Sequence, residues 1–142
     1  LWEHFSGLSR FLAGQDLAEL SPITVSVNTT ATVALGQGDG RRALVWLRHS
    51  GYSVEAAIEA YRKQTLAAGA PPQDWRYSLS PVRGAVVTLD GLEPGRYRAE
   101  WLDPLSGVRM ASRVAAVGGD GRLAVPAPAF EQDVALRVML LR

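Results

Sequence analysis

Two carboxyl groups, Glu100 and Asp103, lie close together in the stretch GRYRAEWLDPLSGVRMASRV, Gly95 to Val114. A glycosidase needs two such groups about 5 to 10 Å apart across a cleft. The surrounding pattern gives each a structural task instead. Tyr97, Ala99 and Trp101 alternate with Arg98, Glu100 and Leu102, and after Asp103, Pro104, Ser106 and Gly107 the alternation resumes with Val108, Met110 and Val114. That period of two around a Pro- and Gly-containing turn predicts a β-hairpin. Glu100 shares its strand face with Arg98 and has Arg109 and Arg113 on the returning strand, so a cross-strand charge pair accounts for it. Asp103 precedes Pro104, where a carboxylate caps backbone amides. No catalytic residue is assigned in this chain.

Other chemistries find less. His4 and His49 are the only histidines, and a metal centre draws three or four protein ligands with an ordering second shell. No G-x-S-x-G is present, and neither histidine accompanies a nucleophile motif. Gly36, Gly38 and Gly40 precede a strand pattern, whereas a phosphate cradle needs a helix N-terminus after its glycines, so they read as a hairpin turn. Asn28, Thr29 and Thr30 form an N-x-T acceptor sequence to which no role is given. No metal and no cofactor is expected.

Aromatic side chains remain. Exposed Trp or Tyr rings stack on the C–H faces of sugars without any catalytic group. Trp101 and Tyr97 share the inward hairpin face and are assigned to the core. Trp46 occupies the second face of a central strand and is expected beneath an inserted helix. Tyr52, Trp75 and Tyr77 fall in loops, where exposure is expected. These three are the candidate carbohydrate-stacking residues; the opposing expectation is that they fasten the inserted segment to the sheet.

The elements that position these residues follow in chain order. Leu1, Phe5, Leu8 and Leu12 recur at helical spacing. Gly14 ends that helix, and Asp16 caps a short turn through Glu19 before Ser21 and Pro22 stop it. From Ile23 the period becomes two: Ile23, Val25 and Val27, then Ala31, Val33 and Leu35, then Arg42 to His49 with apolar residues on both faces. Ser53 to Ala68 breaks that pattern as a helix with Ser53 as N-cap and Gly69 as C-cap, and Pro71 and Pro72 prevent its continuation. Strands resume at Ala85 to Leu89, in the hairpin, at Leu123 and Val125, and at Asp133 to Leu141. The expected fold is mainly β: an immunoglobulin-like antiparallel β-sandwich of seven to eight strands with an N-terminal helix and one inserted helix. Residues 1–21 are expected to form a helical linker toward an upstream domain, and 22–142 the sandwich, with the helical insertion at about 53–69.

Composition narrows the partners. The chain has 142 residues, no cysteine, and 15 Lys plus Arg against 14 Asp plus Glu. Charges of both signs are spread along it, so no field favours nucleic acid or anionic lipid. No apolar run approaches the roughly 20 residues of a membrane-spanning helix. The chain starts at Leu1 in mid-pattern and reads as a piece of a longer polypeptide.

Four features together carry a resemblance: Leu20 and Pro22 leading into the first strand; Trp101, Asp103, Pro104 and Gly107 as W-x-D-P-x-x-G; Pro126 and Pro128; and Asp133, Val134, Ala135 and Leu136 in the closing strand. The chain resembles the C-terminal β-sandwich appended to glycoside hydrolases with a (β/α)8 catalytic barrel, a type sometimes labelled collagen-binding. The resemblance covers most of the chain; Ser50 to Val82 departs from it as an insertion. It implies a non-catalytic accessory domain that packs against and stabilises the upstream barrel, with the catalytic carboxylates in that barrel. It favours an extracellular or periplasmic setting, which the residues themselves leave open. The alternative is a carbohydrate-binding module, with polysaccharide as partner, using Trp75, Tyr77 and Tyr52.

Overall fold

A computed structural model describes residues 2–69 and 75–142. Leu1, Pro71 and Pro72 lie outside the described residues, as do the side chains of Trp2, Glu3, His4 and Ala68. The described elements run α1 (Trp2–Leu12), a 3-10 turn (Leu17–Glu19), β1 (Ser21–Pro22), β2 (Val25–Val27), β3 (Thr32–Gly38), β4 (Arg42–His49), α2 (Val54–Ala68), β5 (Val86–Leu89), β6 (Gly95–Leu102), β7 (Arg109–Val117), β8 (Leu123–Pro126) and β9 (Asp133–Leu140). The strands form two antiparallel sheets, one of six in the order β1-β3-β4-β9-β6-β7 and one of three in the order β2-β5-β8.

Period-two patterning explains how the sheets meet. In β4, β6 and β9, alternate residues Ala43, Val45 and Leu47, Tyr97, Ala99 and Trp101, and Val134, Leu136 and Val138 point inward. They pack on Val87, Leu89, Leu123 and Val125 of the smaller sheet, which makes the fold a β-sandwich with one main core. Tyr97 is fully buried, and its hydroxyl lies 3.0 Å from Gly40 O and 2.8 Å from Glu93 O, so its polar tip is satisfied inside the core.

The expected caps and turns are present. Asp16 Oδ1 accepts from Ala18 N at 3.1 Å and starts the 3-10 turn. Ser53 Oγ accepts from Ala56 N at 3.1 Å, and Gly69, at φ 75°, closes α2 through its N–H to Thr65 O. The glycine run is a hairpin turn in which Asp39 Oδ1 accepts from Arg41 N and Arg42 N at 3.0 and 2.8 Å.

Three expectations need correction. The strand read from Ile23 splits, because Ile23 N–H still bonds Gly36 O beside β3 while Val25 to Val27 cross to the smaller sheet, giving nine strands. In β3 the residues directed at the core are Ala34 and Gly36, so Val33 and Leu35 face solvent. A side chain at Gly36 would meet Val25 and Ile23, which is why the inward register takes the small residues. Trp46 packs beside α1, not beneath α2: it lines a groove with Phe11 and Leu12.

Candidate functional site

The outward face of the six-stranded sheet carries α1 on a satellite core of Phe11, Leu20, Leu44, Leu102 and Ala135, with Leu12 packed against it. Gly7 brings the helix against the β6–β7 turn, where Arg10 Nη1 donates to Ser106 O at 3.0 Å. Large apolar side chains flank this seam in solvent: Phe5 is 58%, Leu8 50%, Leu35 61% and Trp46 37% exposed. Trp46 stands between two apolar hollows. One, of about 420 Å³, is lined by Phe11, Leu17, Pro22 and Leu35, and the other, of about 180 Å³, by Leu8, Pro104 and Ala135. The indole is oriented by its Nε1–H, which donates to Asp133 Oδ2 at 2.9 Å. Burial raises the Asp133 carboxyl above its ordinary range, against the lowering effect of the Trp46 bond, and nearby Asp103 adds to the rise.

The two carboxylates considered for catalysis have partners of their own. Glu100 receives Arg137 Nη2 at 2.9 Å and Arg109 Nη1 at 3.2 Å. Burial alone would raise the Glu100 carboxyl, yet the bonds from Arg137 and then Arg109 hold it below its ordinary value of 4.5. Arg137, on neighbouring β9, is the member that sequence reasoning missed; only the β6–β9 register places it opposite Glu100. Arg113 lies opposite Ala99 and so on the other face of the sheet. Asp103 Oδ1 accepts from Leu105 N and Ser106 N, both at 2.8 Å, which is the turn cap expected of it.

The Glu100 pairing sets a pH dependence. A carboxyl whose folded value is lowered contributes stability that is complete above its unfolded value and is lost as pH falls through the folded one. Stability of the parent should therefore decline below about pH 4.5. Glu100→Gln should be less stable than the parent at pH 7, with the gap closing as the pH is lowered through that range. Urea unfolding at a series of pH values checks both statements, and a gap independent of pH would count against the ion pairs.

The three candidate stacking residues are half-buried and form two separate aromatic contacts. Tyr52 and Tyr77 stack at 6.2 Å between centroids and 28° between planes, while Trp75 meets Tyr61 of α2 edge-on at 5.1 Å. Tyr77 Oη donates to Gly51 O at 3.0 Å, and Arg48 Nη1 donates to Tyr52 O at 2.8 Å. The structure thus brings Tyr52 to Tyr77, and pairs Trp75 with a helix residue instead of with either.

His49 Nδ1 accepts from Gly51 N at 2.9 Å and its Nε2 lies 3.2 Å from Ser80 O, so the ring braces the same loop. Among the described residues, no three His, Cys, Asp or Glu side chains gather as metal ligands. Asn28 of the N-x-T sequence uses its amide to bridge Gly84 O and Val86 N at 3.2 and 2.7 Å. No helix among the described residues is long and apolar enough to cross a membrane.

No family model and no curated protein matches the chain. Among solved structures, it is similar to the α-L-fucosidase isoenzyme 2 from Paenibacillus thiaminolyticus, with 15% identity and a TM-score of 0.47 over 95% of this chain. It is also similar to the GH39 enzyme from Xanthomonas axonopodis pv. citri, with 13% identity and a TM-score of 0.47 over 77% of this chain. The chain spans 17% and 26% of the lengths of those two chains.

Proposed function

We propose that this chain is a non-catalytic accessory β-sandwich of a glycoside-hydrolase-like polypeptide, which packs against a neighbouring catalytic domain through the surface around α1 and stabilises it. The observation that carries this reading is the group of large apolar side chains, Phe5, Leu8, Leu17, Leu35 and Trp46, left in solvent around a helix that already buries Phe11 against the sheet. Contiguous apolar surface of that kind marks an interaction site. The W-x-D-P-x-x-G turn and the Leu-x-Pro entry, through the resemblance they carry, supply the neighbour's identity as a (β/α)8 barrel. The engagement of Glu100 with two arginines and of Asp103 with its turn supports placing the chemistry outside this chain.

Hydrogen exchange on the whole polypeptide and on residues 1–142 alone tests the reading. Amides of α1 and β4 should exchange about tenfold or more slowly in the whole polypeptide, and Leu8→Asp there should uncouple the melting of the sandwich from that of its neighbour. Equal exchange in the two proteins would sink it. Carbohydrate recognition by Tyr52, Trp75 and Tyr77 is the second reading, supported by half-buried rings on irregular segments. Polysaccharide-induced fluorescence changes that vanish in Trp75→Ala would favour it over the first.

A further inference from the structure

The sandwich has four sheet edges, and they are not treated alike. β1 has two residues and includes Pro22, β2 has three, and β8 has four and ends on Pro126. β7 has nine, without proline, and Arg109 to Val114 are exposed throughout. Short length and proline blunt the first three edges; β7 is guarded instead by a bulge at its start and by the charge of Arg109 and Arg113, which turns away a like strand and leaves the regular stretch from Ala111 open to one of opposite charge.

The hydrogen-bond pattern says which backbone groups are on offer. Leu141 N–H donates to Arg96 O at 2.7 Å, so Arg96, Arg98 and Glu100 of β6 bond toward β9, and Tyr97, Ala99 and Trp101 toward β7. Their partners Ala115, Arg113 and Ala111 are thereby turned to β6. Ser112, Val114 and Ala116 direct their N–H and C=O groups outward, an array of three donors and three acceptors. Charge selects the partner. β7 contributes Arg109 and Arg113 and no acid, and β6 adds Arg96 and Arg98 behind it. Glu100 pairs with Arg109, while Arg96, Arg98 and Arg113 have no ion pair among the described residues.

We infer that the β7 edge is a docking site for an extended, acidic polypeptide segment, which adds antiparallel to β7 as a seventh strand. Its backbone bonds Ser112, Val114 and Ala116, and a carboxylate directly across from Arg113 forms the cross-strand pair that this arginine lacks. A second copy of β7 would bring only further arginines to the same edge, so the occupant is a different segment.

The test uses two nine-residue peptides, one alternating valine and glutamate and one alternating valine and lysine, added to the whole chain while amide exchange is followed by NMR. The glutamate peptide should slow exchange at Ser112, Val114 and Ala116 by about tenfold or more and leave Ala111, Arg113 and Ala115 unchanged; the lysine peptide should do neither. Val114→Pro removes an outward N–H and no bond to β6, so it should abolish the effect in a folded protein. Arg113→Glu, which leaves the backbone intact, should transfer the preference to the lysine peptide. Equal slowing by both peptides, no slowing by either, or slow exchange without peptide that depends on protein concentration, as from a second copy on the edge, would each overturn the inference.

Discussion

Replacing Trp101 with alanine should destabilise the fold by about 3 to 5 kcal/mol, a large share of the 5 to 15 kcal/mol typical of a domain. The ring is 2% exposed, lies on the inner face of β6, and stands opposite Leu136 of β9 and Ala111 of β7. It belongs to the main core between the two sheets, where β7 and β9 are held in register on either side of it, so the surroundings relax only partly into the void that alanine would leave. Urea unfolding followed by circular dichroism measures the loss. The indole Nε1 is buried with no hydrogen-bond partner among the described residues, and an unmet donor of that kind costs about 1 to 3 kcal/mol. Trp101→Phe removes that donor with much of the volume kept, and should cost less than half as much as alanine. An alanine variant within about 1 kcal/mol of the parent would refute the placement of the ring in the core.

Gly7→Ala should lower stability, although helix propensity alone predicts a gain of roughly 1 kcal/mol for the same change in a helix interior. The packing decides the sign. A Cβ at Gly7 would collide with the carbonyl oxygens of Pro104 and Leu105, which are backbone atoms held by the Asp103 turn cap. The helix must then lift from the sheet and expose Phe11 and Leu12, at an expected cost of about 1 to 3 kcal/mol. Thermal unfolding gives the sign, and tryptic cleavage after Arg10 should quicken as its contact with Ser106 is lost. A raised melting temperature would show that α1 does not lie against this turn. Because α1 forms much of the proposed interdomain surface, the same variant should also weaken coupling to the neighbouring domain.

What the sequence disclosed was what depends on nearest neighbours. The hairpin, the Asp103 cap, the Asp16 turn and both ends of α2 follow from residue types at fixed offsets, and each is present in the fold. What it withheld depends on register between distant strands. Nothing near Glu100 in the chain points to Arg137, because the link passes through β9. Val33 and Leu35 alternate as core residues would, yet the close approach of Ile23 and Val25 at Gly36 forces the opposite face inward. Trp46 was legible as a residue on the outer face of a central strand, but its neighbour was not, since two helices competed to cover it. The aromatics of the insertion had no periodic pattern to read: Trp75 meets Tyr61 of α2, and Tyr52 meets Tyr77 from the opposite side of that helix in the sequence, both contacts between residues well separated along the chain.

The central place of β9 has a consequence for how the fold is reached. β9 lies between β4 and β6, and it is the last strand in the chain. Before it arrives, the larger sheet exists only as two separate pieces, β1, β3 and β4 in one and β6 with β7 in the other, each of which can close locally within tens of residues. Their joining waits for contacts spanning most of the sequence, which places this chain among the slow, millisecond-to-second folders. During synthesis the apolar faces of β4 and β6 stay open until Asp133 to Leu140 have emerged, so the nascent chain, more than the finished domain, is the species exposed to mispairing.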